Sequence, residues 1–122
     1  MPKLKFNNSK GETIIIPADL LGVCIYCADP EIVHNEETWY FLEKPDYPIT
    51  LQIVKMIYTP VNPGKSKEFI SIVGKNLRTE HEFNFNFFKT DEDTYETESK
   101  IFLTFIDALD CILKDKYDKK EA

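Results

Sequence analysis

At 122 residues, with 43% apolar residues, 30% charged residues and four glycines, the chain fits one globular domain spanning 1–122 and excludes a disordered or fibrous class. Fifteen bases against 21 acids give a formal charge of −6, which disfavours a polyanionic partner and so argues against nucleic acid. No apolar run approaches the roughly 18 residues of a membrane helix, no signal-peptide core follows the N-terminal lysine, and Cys24, Cys27 and Cys111 lack a secreted disulfide spacing; a cytoplasmic protein with reduced thiols and no membrane partner is expected.

In chain order, Lys3-Leu4-Lys5-Phe6 and Thr13–Ile16 read as two short strands joined by the turn NNSKG. The run ADLLGVCIYCA, 18–28, fits a buried helix or a buried strand, and Asp29-Pro30 bounds it. Thr38–Leu42 is rich in aromatic residues and reads as a strand. A further strand is expected over Ile49–Tyr58 with Ile49, Leu51, Ile53 and Ile57 on its apolar face, then a TPVNPGKS loop, then a strand over Phe69–Val73 with a hairpin turn at Gly74–Asn76.

Beyond that turn the alternation predicts one strand from Leu77 to Phe87, with Leu77, Thr79, His81, Phe83, Phe85 and Phe87 facing one way and the polar residues the other. The period then changes. Ile101, Phe102, Phe105, Ile106, Leu109, Ile112 and Leu113 recur every three or four residues, which predicts a helix from Thr97 to Tyr117, capped by Asp93 with Glu96 or by Thr97. Such a helix, about 30 Å long, is expected to lie across the phenylalanine face, with residues 118–122 as a charged tail. The fold class is α+β: an antiparallel sheet of five to six strands with one long C-terminal helix packed across one face.

The chemical motifs are weak. Cys24-Ile25-Tyr26-Cys27 is one CxxC where a structural zinc site commonly needs two pairs, and its sulfurs share a face only if the segment is helical. Gly64-Lys65-Ser66 lacks the glycine that a phosphate loop places five residues earlier, where Thr59 stands. The acids at 91–93 lack the spacing and glycine of a calcium loop. Hydrolysis would have to recruit His34 or His81, neither in a recognisable context, and a single arginine argues against bidentate phosphate clamps. No cofactor, metal ligand or catalytic residue is assigned.

Phe83, Phe85 and Phe87 could stack nucleic-acid bases, but stacking modules also need a basic groove, and these rings are flanked by acids. Burial of each contributes about 1.5–3 kcal/mol, which favours a core role. What remains for function is the acidity. The sequence reads as a small non-enzymatic binding protein that masks a basic protein partner, with Glu36, Glu37, Asp91, Glu92 and Asp93 as contact residues. In size, acidity and Lys/Asn/Ile-rich composition it is similar to immunity proteins and phage- or plasmid-encoded inhibitors. A homo-oligomeric assembly protein paired through a strand edge, and an unfamiliar enzyme using His34 or His81, are the alternatives.

Overall fold

The computed structural model describes residues 2–28, 32–35, 38–41, 47–60 and 68–120. Among the described residues ten strands and one helix follow in chain order: β1 (Lys3–Asn7), β2 (Thr13–Pro17), β3 (Cys24–Cys27), β4 (Ile32–Asn35), β5 (Thr38–Phe41), β6 (Ile49–Thr59), β7 (Phe69–Lys75), β8 (Glu82–Lys89), β9 (Thr94–Glu96), β10 (Ile101–Phe102) and α1 (Phe105–Lys120). Strands β4 and β5 pair with each other, and the other eight form one sheet in the order β10-β3-β6-β7-β8-β9-β1-β2. The expected α+β class holds, with corrections. The sheet has eight strands rather than five or six, and it is mixed, because β1 runs parallel to β9.

Chain length forces this sheet to curl. In sheet order β9 and β10 stand five strand spacings apart, roughly 24 Å if the sheet were flat. Yet the five Cα steps from Glu96 to Ile101 reach at most about 18 Å. The sheet therefore wraps into a half-barrel that brings its β10 edge back towards β1. Its concave side is the main core, where Leu4, Phe6, Ile25, Leu51, Ile53, Ile70, Ile72, Phe85, Phe87 and Tyr95 pack together and Phe87 is 0% exposed. Phe6 meets Phe87 across the curl, their rings 5.5 Å apart and tilted by 59°.

Several boundaries depart from the expectations for physical reasons. Of the 18–28 run only Cys24–Cys27 forms a strand, β3; Leu21 and Gly22 lie in a turn, and Leu21 and Val23 are exposed rather than buried. Strand β6 carries a register shift between Ile53 and Lys55, so Met56 takes the place opposite Ile72 and Ile57 is turned outward, 42% exposed. Gly74 belongs to β7 instead of a turn, and a Cβ there would come within 3.0 Å of Leu51 Cβ, a close approach that glycine permits. The hairpin turns at 76–81: Asn76 Oδ1 accepts N–H bonds from Arg78 and Thr79, its carbonyl accepts from Glu80, and Glu80 adopts φ 65°. β8 therefore begins five residues later than the alternation implied, leaving Leu77 exposed.

The helix begins at Phe105, because 94–96 are spent on β9 and 101–102 on β10. Thr104 is its N-cap: the Asp107 N–H donates to Thr104 Oγ1 at 3.2 Å, and the hydroxyl donates back to Asp107 Oδ2 at 2.7 Å. The helix does not cover the phenylalanine face, which the curled sheet buries against itself. Ala108 and Ile112 pack instead with Ala28 and Phe102 on the outer side of β3 and β10, and Phe105 meets Tyr26 edge-on at 6.0 Å. From there the helix reaches the β1–β2 turn. Asp107 Oδ1 accepts from the Ser9 N–H (3.1 Å) and hydroxyl (2.9 Å), and Lys114 Nζ donates to the Ser9 carbonyl at 2.7 Å. Bonds from the Thr104 hydroxyl first, and then the Ser9 N–H, hold the Asp107 carboxyl below its ordinary range.

Candidate functional site

Strand β8 is fully paired with β7 from Glu82 to Phe88, but with β9 only at Phe88 and Lys89. Which way its main chain points follows from two bonds: the Lys89 N–H donates to the Glu68 carbonyl, and the His81 carbonyl accepts from Asn76, so the odd-numbered residues face β7. The N–H and C=O groups of Glu82, Asn84 and Asn86 therefore face the other way. Among the described residues no backbone group pairs with them there.

The edge is open because β9 stops after three residues. Thr97 Oγ1 captures the Ser99 N–H at 3.2 Å and the Ser99 carbonyl accepts from Ile101, which turns the chain off the ladder towards β10. Between β8 and this departing segment lies a cleft of about 510 Å³ lined by Asn84, Asn86, Phe88, Thr97, Glu98 and Ser99. On the far side of the same segment a smaller cavity of about 140 Å³ runs towards Lys5 and Asn7 of β1. Asn86 Oδ1 accepts from the Ser71 hydroxyl at 2.7 Å, which fixes its amide, and Phe88 rests against Phe69 with 5.6 Å between rings. The lining thus combines oriented amides, hydroxyls, one half-exposed ring and one carboxylate.

The expected contact residues divide. Asp91, Glu92 and Asp93 form the exposed β8–β9 turn beyond the closed end of the cleft; Asp93 faces Lys3 at 3.8 Å and its carbonyl accepts from the Lys3 N–H. Glu96 is bonded by Lys5 at 3.2 Å. Asp91, Glu92, Glu98, Glu80 and Glu82 make no ion pair among the described residues. Glu36 and Glu37 lie outside the described residues. Sequence reasoning assigns no contact role to Asn84, Asn86, Thr97, Glu98 or Ser99. The amides were visible as the polar side of an alternating strand, but nothing local marks that strand's edge as open.

A second polar cluster closes one end of the concave core. Cross-strand register puts Tyr58, Glu68, Lys89 and Tyr95 on the inward side, where the Tyr95 hydroxyl donates to the Glu68 carboxylate and Lys89 Nζ lies 3.5 Å from it. Burial first, and then the Glu68 bond, push the Tyr95 phenol far up. The bond to Glu68 likewise raises Tyr58, and bonds from Tyr95 and Tyr58 hold Glu68 below the usual carboxylate range. At neutral pH this is a carboxylate between two neutral phenols and an ammonium. Its charge state is fixed, which suits a polar plug better than a proton-transfer site.

The remaining candidates do not converge. With β3 a strand, Cys24 is exposed and Cys27 buried, so the CxxC sulfurs point to opposite faces and do not form a chelating pair. His81 is exposed beside the β7–β8 turn, and His34 falls on β4. Among the described residues no three histidine, cysteine or acidic side chains cluster to hold a metal ion. Comparison with protein-family models, with curated proteins and with solved structures finds no match.

Proposed function

We propose that this protein is a small acidic binding protein that masks a basic protein partner, using the surface between the β7–β8 turn and the β8–β9 turn. The observation that supports it is the row of carboxylates without ion pairs among the described residues, Glu80 and Glu82 at one end of the β8 cleft, Glu98 in its wall, and Asp91 and Glu92 past its closed end. Side chains that serve folding are tied down, as Asp93 is to Lys3 and Asp107 to Thr104 and Ser9. These five are not. Such a row steers a basic partner by long-range attraction and then sets the register of contact.

The test is affinity capture at low salt followed by kinetics with the recovered protein. The association rate is expected to fall about tenfold or more between low and high ionic strength, and to fall comparably when Glu80, Glu82, Glu98, Asp91 and Glu92 are together replaced by lysine. A folded variant that binds the recovered partner as fast as the parent chain overturns the proposal.

A further inference from the structure

We propose that the partner's basic segment binds as an added β-strand along the open edge of β8, in the cleft against 97–99, and that it alternates basic and apolar residues. This rests on the masking function above and specifies its mode. An exposed row of main-chain donors and acceptors is a template for strand addition. Here the template is short: the outward N–H and C=O groups of Glu82, Asn84 and Asn86, five residues from end to end, matching a guest segment of about 17 Å.

The sequence pattern of the guest follows from the pleat. In a guest that runs antiparallel to β8, as β7 and β9 do, a residue opposite Glu82, Asn84 or Asn86 bonds to β8 through its own main chain and projects its side chain to the same outer face as theirs. There it meets the Glu82 carboxylate, the Asn84 and Asn86 amides and, across the cleft, Glu98. A lysine or arginine is complementary to that face. The intervening guest residues project to the opposite face, beside Phe83 and Phe85, where Phe83 is only partly buried against the core. A small branched apolar side chain is the chemical complement of that face.

Charge and shape favour a foreign segment over a second copy of this chain. Every copy's β8 edge carries its own 97–99 segment alongside, so edge-to-edge pairing of two copies would drive two such segments against each other. The chain also carries a formal charge of −6. A slender, basic, extended peptide avoids both costs.

The probe is a capped ten-residue peptide of alternating lysine and valine, titrated at low salt into the full chain with the amide resonances of β8 as readout. Binding is expected to shift the Glu82, Asn84 and Asn86 amides most. The same peptide N-methylated at its lysines loses the donors that face β8, and is expected to bind at least about tenfold more weakly. N-methylated at its valines, it keeps those donors and is expected to lose less than about threefold. Asn84→Pro removes one outward N–H and none of those bonded to β7, and is expected to fold and to weaken the unmodified peptide by about tenfold. In the free protein the outward amides are expected to exchange faster than those of Phe83, Phe85 and Phe87, a comparison that needs no variant.

Equal binding by all three peptides overturns strand addition and leaves the charge-based reading standing. No binding by the unmodified peptide, while the recovered partner still binds in a manner sensitive to the carboxylates, also overturns strand addition alone. A concentration-dependent dimer abolished by Asn84→Pro would show that the edge serves self-association, and overturns the proposal too.

Discussion

Within strand β8 alternate residues live under different constraints. Phe85 and Phe87 are closed into the half-barrel against Phe6, Ile70 and Ile72, whereas Asn84 and Asn86 stand on the outer face beside a cleft, and the main chain between them has open donors and acceptors. One side of the strand is committed to folding and the other is left available. The lesson is that a strand's side-chain pattern reports which face is buried, while the use of its edge is decided by how far a neighbouring strand extends. β9, at three residues, covers only the last rungs. The contrast is broken most forcefully from the inside: Phe87→Ala is expected to cost about 3–5 kcal/mol in denaturant unfolding, because the surrounding rings and branched chains collapse only partly onto the vacancy. A loss below about 1 kcal/mol would show that the concave face is not the core described.

A smaller effect, dependent on pH, is expected where the inner face meets solvent at Tyr95. The residue is 3% exposed, and burial and its bond to Glu68 raise its phenol above the unfolded value near 10. The sign follows by linkage: the unfolded chain gives up this proton from about pH 10 while the folded chain retains it, so the stabilisation is full below pH 10 and is lost as pH rises above it. Glu68 acts at the other end of the scale, its stabilisation present above its unfolded value and lost as pH falls through its depressed folded value. Tyr95→Phe removes the alkaline loss due to this phenol and also the leading cause of the Glu68 depression. Chemical denaturation across pH is therefore expected to show a flatter alkaline limb and, because less of the Glu68 depression is left to lose, a flatter acid limb in the variant, with Tyr58 and Lys89 still beside Glu68. Unchanged limbs on both sides would mean that the cluster does not form.

Much of the architecture was legible because it is local. The β1–β2 hairpin, β6, β7 and the burial of Phe85 and Phe87 follow from alternation and turn chemistry within a few residues. The errors arise where tertiary pairing overrides period. Ile101 and Phe102 continue a helical spacing that ends in Leu113, yet they pair with Tyr26 and Cys27 as β10, because a two-residue bridge there lets the sheet curl and leaves Thr104 to cap the helix. The polar 77–81 stretch continues an alternating pattern, yet Asn76 gathers its N–H groups into a turn. The candidate site was the least legible part. Asp91 and Glu92 are conspicuous as a charge run, but Glu98 and the two asparagines join them only because Thr97 turns the chain away from β8.

The smallest expected effect sharpens the comparison best. Asn84→Ala lies one residue from the buried Phe85, and its side chain is exposed with no hydrogen bond to a described residue. If the outer side of β8 is free of folding duty, this substitution changes unfolding free energy by no more than about 0.5 kcal/mol, within the ordinary range of surface changes and well below the cost at Phe87. The neighbouring Asn86 provides an internal control, since it accepts the Ser71 hydroxyl and its loss would leave the largely buried Ser71 Oγ without that acceptor. Equilibrium unfolding of Asn84→Ala and Asn86→Ala side by side should therefore rank Asn86→Ala as the more costly. A large loss at Asn84 would mean that its outer face is packed against something that stabilises the fold, and the edge it flanks would then not be open to a partner.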